Sequence, residues 1–388
     1  MTNESTGNTT PPKASTPVAA QTKSPSKSPS KSPSRSPRSP PAQNELVPAD
    51  DFDDGDADSS LGTDTESSTA SVSASILEYR RSQGRTYHSD KFTFNYFVPN
   101  DDQQLESMDL THHYLTLLLD NELFLAPIKT ETIQVGYAGE IYNPWEAFVL
   151  IVALSVQQVL DVGTGSGIWS IEFADRYPNT EVIGTDLSPC QPQWIPPNVR
   201  FEIDDALQSW TWKEDQFDFI HIRYLFGAVK DWGTLFQEAY RCCASDGWVQ
   251  SGEADIRFRS DDGTTDLEPV FETYEKLFEE GSKVLGNPIW VHDLQQKAFE
   301  DAGFNDVKTV DYKFPVGGWP KDSKLANVGQ FVKATLENDL EGYTLMMWKD
   351  VVQWPLDEYQ VFLMSLRKAI RNPKVHSYMT VRYVYGRK

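Results

Sequence analysis

The chain has 388 residues, with 35 Lys and Arg against 57 Asp and Glu, a formal net charge of −22. A chain this acidic has no general polyanion-binding surface, so nucleic acid is not an expected partner. Hydrophobic residues make up only 39% while aromatic residues reach 12% with 11 Trp, so the apolar deficit must be concentrated in one part of the chain.

That part is the first 75 residues, which hold 10 of the 24 prolines, no Trp and a single aromatic residue, Phe52. Such a segment cannot bury enough apolar surface to offset its ordering entropy and is expected to be a disordered tail. It carries six basic and ten acidic side chains, a net of −4, which leaves −18 for the remainder. Ser-Pro recurs at Ser24, Ser28, Ser32, Ser36 and Ser39, and an acidic block follows from Asp50 to Glu66. The repeats read either as proline-directed phosphorylation sites, where phosphate reverses the local charge, or as a solvated linker. The N-terminus lacks the charged and apolar regions of a signal peptide, and the longest apolar run, Ala147 to Leu154, is too short to cross a bilayer. An intracellular protein of the cytoplasm, the nucleus or both is expected, without a transmembrane segment. The three cysteines, Cys190, Cys242 and Cys243, form no CxxC pair, and no metal site is expected.

Residues 76–388 are expected to form one folded domain: an N-terminal cap at 76–155, a binding core at 156–260, and a further cap with sheet completion at 261–388. Around residue 160 a short β-branched run, Val156 to Val162, leads into Asp161-Val162-Gly163-Thr164-Gly165-Ser166-Gly167 and then the helical Ile168 to Ala174. This is a strand, a glycine-rich turn and a helix. A dinucleotide fingerprint needs its third glycine at relative position 6, which from Gly163 is Ile168, so the nicotinamide reading fails. A second strand, Glu181 to Thr185, ends in Asp186, placed to accept hydrogen bonds from a ribose diol. A third, Val199 to Ile203, ends in Asp204-Asp205, where an adenine edge would lie; a fourth covers Phe217 to Ile222. A helix from Trp232 to Cys243, the turn Ser245-Asp246-Gly247 and a fifth strand from Trp248 complete a parallel sheet with helices on both faces. Helical caps are expected at 104–125 and 266–300. Residues 324–371 read as largely helical, with Leu336, Leu340, Tyr343, Met347 and Val351 at packing spacing, before an antiparallel strand from Tyr378 to Tyr385.

Asp161 to Gly167, Asp186 and Asp205 resemble the first three motifs of class I S-adenosylmethionine-dependent methyltransferases. The wider text at 159–169, 182–189, 196–206, 217–223, 318–322 and 384–388 is similar to the LaeA-like group of fungal methyltransferases, from about residue 76 to the end. The resemblance implies a Rossmann-like seven-stranded sheet and S-adenosyl-L-methionine as cofactor. It also implies that Gly163, Gly165 and Gly167 flank the methionine and ribose, that Asp186 binds the ribose hydroxyls, and that Asp205 faces the adenine, with Asp161 a further carboxylate of the site. In the group, Arg85 to His88 and His112-His113 cap the pocket, and members act in fungal development and secondary metabolism with partner proteins. The resemblance implies a chain that passes almost directly from Leu125-Ala126-Pro127-Ile128 into the first strand, whereas here Thr130 to Val156 intervenes; it reads as a lineage-specific helix or lid, or as translated intron.

Methyl transfer needs donor and acceptor held in line and needs a base only where the acceptor must lose a proton. Candidate catalytic groups near the strand ends are His221, Arg223, Tyr224 and Glu253. No Asn/Asp-Pro-Pro-Tyr/Phe clamp follows the fourth strand, which with the acidic domain argues against a nucleobase amine as acceptor. A small metabolite or a protein is the expected acceptor. The rival reading is a methyltransferase-fold subunit that acts mainly by assembly into a regulatory complex.

Overall fold

A computed structural model describes residues 79–89, 96–129 and 156–388; the tail at 1–75 and most of the stretch from 130 to 156 lie outside them. A two-stranded hairpin, β1 (Arg80–Ser82) and β2 (Arg85–Tyr87), precedes helix α1 (Asp102–Leu118). Asp101 caps α1 by accepting from the Gln104 amide, as expected of an Asp ahead of a helix start. The core follows as β3 (Gln158–Val162), α2 (Ile168–Arg176), β4 (Glu181–Asp186), β5 (Val199–Ile203), β6 (Phe217–Arg223), α3 (Trp232–Cys242) and β7 (Cys243–Arg259). Helices α4 (Val270–Leu285) and α5 (His292–Ala302), strand β8 (Asn305–Pro315), helices α6 (Ser323–Met346) and α7 (Leu356–Arg371), and strand β9 (Tyr378–Arg387) complete the chain.

The sheet has seven strands in the order β5-β4-β3-β6-β7-β9-β8. The first five pair in parallel, whereas β9 runs antiparallel to both β7 and β8. The expected Rossmann-like α/β architecture is therefore present. Chain order reverses between β3 and β6, and the crevice there is where ligands bind in open α/β sheets. Val159, Leu160 and Val162 on β3 and Phe219, Ile220 and Ile222 on β6 are all buried, the continuous apolar run that a strand covered on both faces requires. Trp169 and Phe173 of α2 pack on one face; Leu235 and Phe236 of α3 with Phe299 of α5 pack on the other. A third cluster joins α1, α4, α6 and α7 into a cap through Tyr114, Tyr274, Phe278, Leu336 and Leu363. In α4 the buried Phe271, Tyr274, Leu277, Phe278 and Gly281 recur at helical spacing, giving the helix one core-facing stripe.

The fifth parallel strand begins at Cys243 rather than Trp248. The expected turn is there, with Asp246 at φ 65°, but pairing with β6 resumes across it, from Phe217↔Cys243 to Phe219↔Trp248. The turn is thus a bulge inside one long strand. The stretch 324–371 is helical except for a kink at Asp339 within α6, a π-type turn at Met347–Val351 and a short break before α7. The Val156 amide donates to the Lys129 carbonyl at 2.9 Å, which brings together the described residues on either side of that stretch from 130 to 156. Among the described residues, no helix is long and apolar enough to cross a membrane, and no cluster of three His, Cys, Asp or Glu is arranged to hold a metal.

Candidate active site

β3 ends in a turn whose glycines Gly163, Gly165 and Gly167 lie at φ +69°, +58° and +81°, a region that strains any residue with a Cβ. Space is also closed: a Cβ at Gly163 would sit 2.6 Å from Leu225 Cδ2, and one at Gly167 2.5 Å from Phe201 Cζ. Neighbouring strands hold the turn in place. The Thr164 amide donates to the Thr185 carbonyl at 2.8 Å, and the Gly165 amide donates to Asp186 Oδ2 at 2.8 Å. Asp186 Oδ1 accepts from the Ser188 amide at 3.0 Å. Burial pushes the Asp186 carboxyl above its usual range, and these backbone donors only partly offset that. Asp205 follows β5 and accepts from the Leu207 amide at 3.0 Å.

Asp161 is 3% exposed and spends both oxygens inside the protein. Oδ2 accepts from Thr164 Oγ1 at 2.6 Å and Ser170 Oγ at 2.8 Å, and Oδ1 meets His221 Nδ1 at 2.7 Å. Burial alone would raise the Asp161 carboxyl, but His221, Thr164 and Ser170 outweigh it and hold it below the ordinary value. Burial takes His221 down to about 4 despite the neighbouring carboxylate. The pair is thus an ionised carboxylate and a neutral imidazole, so the proton is on Nδ1 and donates to Asp161. Nε2 is left as a buried lone pair with no partner among the described residues. Trp169 stacks on the ring at 3.8 Å and 3°. At 1% exposed the imidazole is enclosed, with the indole of α2 laid over it.

The other candidates take different places. Arg223 Nη2 donates to His112 Nδ1 at 3.2 Å, and His112 Nε2 contacts Glu172 Oε2 at 2.5 Å. That His112 link is the main reason the Glu172 carboxyl is held down to about 2. Tyr224, at φ 58°, places its hydroxyl 3.0 Å from that of Tyr114; burial raises it well above its ordinary value, so it stays protonated. Glu253 is not on the cavity wall. It sits beneath the turn that follows β6, accepting from the Phe226 amide at 2.9 Å, and burial pushes it up to about 8. It therefore acts on the site through that turn rather than by contact. Of the expected cap residues, Arg85 joins Asp101 and Asp339, His88 reaches the cavity, and His113 packs on Phe331 at 4.4 Å.

One cavity of about 260 Å³ runs from the glycine turn to the underside of the cap. Gly163, Gly165, Asp161, Asp186, Asp205, His221, Arg223 and Tyr224 all contribute to its wall. Gly167 does not; it is the N-cap of α2. The cradle fits a nucleoside-bearing donor: an open backbone turn, a carboxylate at the end of the next strand, and another after the third. Tyr96, Tyr114, Tyr274 and Phe314 also line the cavity; the spread of aromatic residues along the chain singled out none of them. Leu336 and Tyr343, read as packing, line it too; their seven-residue spacing was the available signal, although α6 kinks at Asp339 between them.

A methyltransferase domain family matches residues 112–309. The chain is 30% identical over 315 residues to methyltransferase pytC of Aspergillus terreus, covering 81% of this chain and 89% of the relative. Secondary metabolism regulator LAE1 of Cochliobolus heterostrophus is 29% identical over 301 residues, covering 77% and 91%. Protein-methionine methyltransferase laeA of Emericella nidulans is 27% identical over 315 residues, covering 80% and 77%.

Proposed function

This chain belongs to the methyltransferase domain family, as a LaeA-like member, and we propose that it takes its methyl group from S-adenosyl-L-methionine. Gly163 and Gly165 back the methionine and ribose, Gly167 starts the helix behind them, Asp186 accepts from the ribose hydroxyls, and Asp205 faces the adenine. Asp161 serves the donor indirectly, by clamping Thr164 of the turn to Ser170 and His221. When bound, the donor supplies an electrophilic methyl on a sulfonium: the acceptor's lone pair forms the new bond as the carbon–sulfur bond breaks, and that electron pair stays on sulfur as a thioether. The acceptor is a small metabolite or a protein. The role lies in regulating fungal development or secondary metabolism, in the cytoplasm or nucleus, together with partner proteins.

The observation that carries this reading is the Gly165 amide held on Asp186 at the floor of the cavity. It fixes an open turn and a ribose-accepting carboxylate in one unit, and a dinucleotide site has no use for the third glycine where it stands. Calorimetric titration with S-adenosylmethionine tests it. The wild type should bind, and Gly163→Ala and Asp186→Ala should each weaken binding about a hundredfold or more, as loss of a buried charge-assisted contact or a forced Cβ requires. No heat from the wild type would overturn the reading.

A further inference from the structure

Past the glycine turn the cavity changes character. The charged side chains on its wall, Asp161, Asp186, Asp204, Asp205 and Arg223, all stand at or just beyond the ends of β3 to β6. The far wall, contributed by α1, α4, α6 and β8, is Tyr114, Tyr274, Phe278, Phe314, Leu336 and Tyr343. Tyr114 stacks on Phe314 with ring centroids 5.5 Å apart, and no charged side chain interrupts this wall among the described residues.

An ionic molecule entering this chamber would lose its hydration against a wall without charge, the cation at its edge, Arg223, being already engaged with His112. A peptide would leave backbone N–H and C=O groups unpaired against aromatic rings. A flat apolar molecule gains about 25 cal/mol for each Å² it buries, and ring contacts add to that. The chamber also has neutral polar points. One is the Tyr114–Tyr224 hydroxyl pair. The other is Gln104 on α1, which is 2% exposed, lines the cavity and lies by the Tyr343 hydroxyl. Its Oε1 has no hydrogen-bond partner among the described residues. A buried acceptor left unmade costs about 1–3 kcal/mol, which a ligand carrying a hydroxyl would recover.

We infer that this chamber holds the methyl acceptor and that the acceptor is a neutral, hydroxylated aromatic small molecule, its ring between the aromatic walls and its hydroxyls meeting Gln104 Oε1 and the Tyr114–Tyr224 pair. The inference rests on the methyltransferase reading above and selects one of its two acceptor classes. Methylation of such a hydroxyl gives an aryl ether and releases one proton to solvent, with no oxidant or further reactant.

The test is binding of 2-naphthol to the full chain saturated with S-adenosylhomocysteine, with S-adenosylmethionine titrated separately on the same preparations. Naphthalene should bind about tenfold more weakly than 2-naphthol, the effect of one hydrogen bond to a buried acceptor. Gln104→Leu should reduce that preference to about twofold or less. Leu336→Trp, or Ala254→Phe if the first does not fold, should abolish naphthol binding while donor affinity stays within about twofold of wild type. Donor binding without naphthol binding, or naphthol binding unchanged in a folded obstruction variant, overturns the acceptor assignment and leaves the donor reading standing. Failure to bind S-adenosylmethionine overturns the donor reading instead.

Discussion

The two ends of the cavity are made by different means. At the donor end the groups come from three consecutive strand ends, are bound to one another by short hydrogen bonds, and include four carboxylates. At the cap end the groups come from helices far apart in sequence, meet through ring contacts, and carry no charge. A donor shared by many enzymes calls for a fixed cradle, whereas an acceptor pocket is defined by whatever cap packs over it. The difference teaches where substitution should be costly and where it should only retune selectivity.

The sharpest way to break that contrast is Asp161→Ala. It strands Thr164, Ser170 and His221, and removing one partner of a buried charged network costs about 3–5 kcal/mol. Urea unfolding should show that loss together with abolished donor binding. At the cap, Arg85→Ala should cost about as much, because Asp339, whose side chain is fully buried, loses its guanidinium partner. Arg85→Ala should nonetheless leave donor affinity within about threefold of wild type wherever the protein remains folded. A parallel fall in donor affinity would show that the two ends are not separable.

Acid should act on the donor end first. The folded His221 titrates near 4 and its unfolded form near 6.5, so the unfolded state binds more protons between those values. Stability should fall as pH drops from about 6.5 to 4, and the lowered Asp161 carboxyl extends the loss further into acid. Glu253 carries the opposite sign. Its folded value near 8 lies above the ordinary 4.5, so stability is fully retained below about 4.5 and declines as pH rises to 8. Glu253→Gln should flatten that slope and raise unfolding free energy at pH 7 by up to on the order of 3 kcal/mol, as followed by urea unfolding at several pH values. The smallest effect belongs to Tyr114→Phe, which removes one neutral hydrogen bond and should cost about 1 kcal/mol. It should change 2-naphthol affinity and leave donor affinity alone.

The donor end was legible in the sequence because its geometry is local. Three glycines within five residues and an aspartate closing the next strand leave few alternatives to a nucleoside cradle. Asp161 and His221 were each visible as candidates, but not as a pair, because parallel pairing of β3 with β6 is what joins positions 60 apart. Glu253 was a candidate for its expected place near a strand end, whereas β7 runs on to Arg259. The pleat turns Glu253 away from the cavity, and Ala254 faces in instead. The chamber stayed hidden because Tyr96, Tyr274 and Met379 share no spacing; only the packing of the cap on the sheet brings them together. α6 supplies both core and cavity wall on either side of its kink at Asp339, and periodicity alone cannot tell these apart.

The 2.9 Å hydrogen bond between Lys129 and Val156 sets side by side the last residue described before the intervening stretch and the first described after it. Two anchors this close tolerate a wide range of connecting lengths, since closing a longer loop between fixed ends adds only about 0.6 kcal/mol per doubling. Chain length at position 129 can therefore be varied as an experimental handle while β3 keeps the anchor from which it starts.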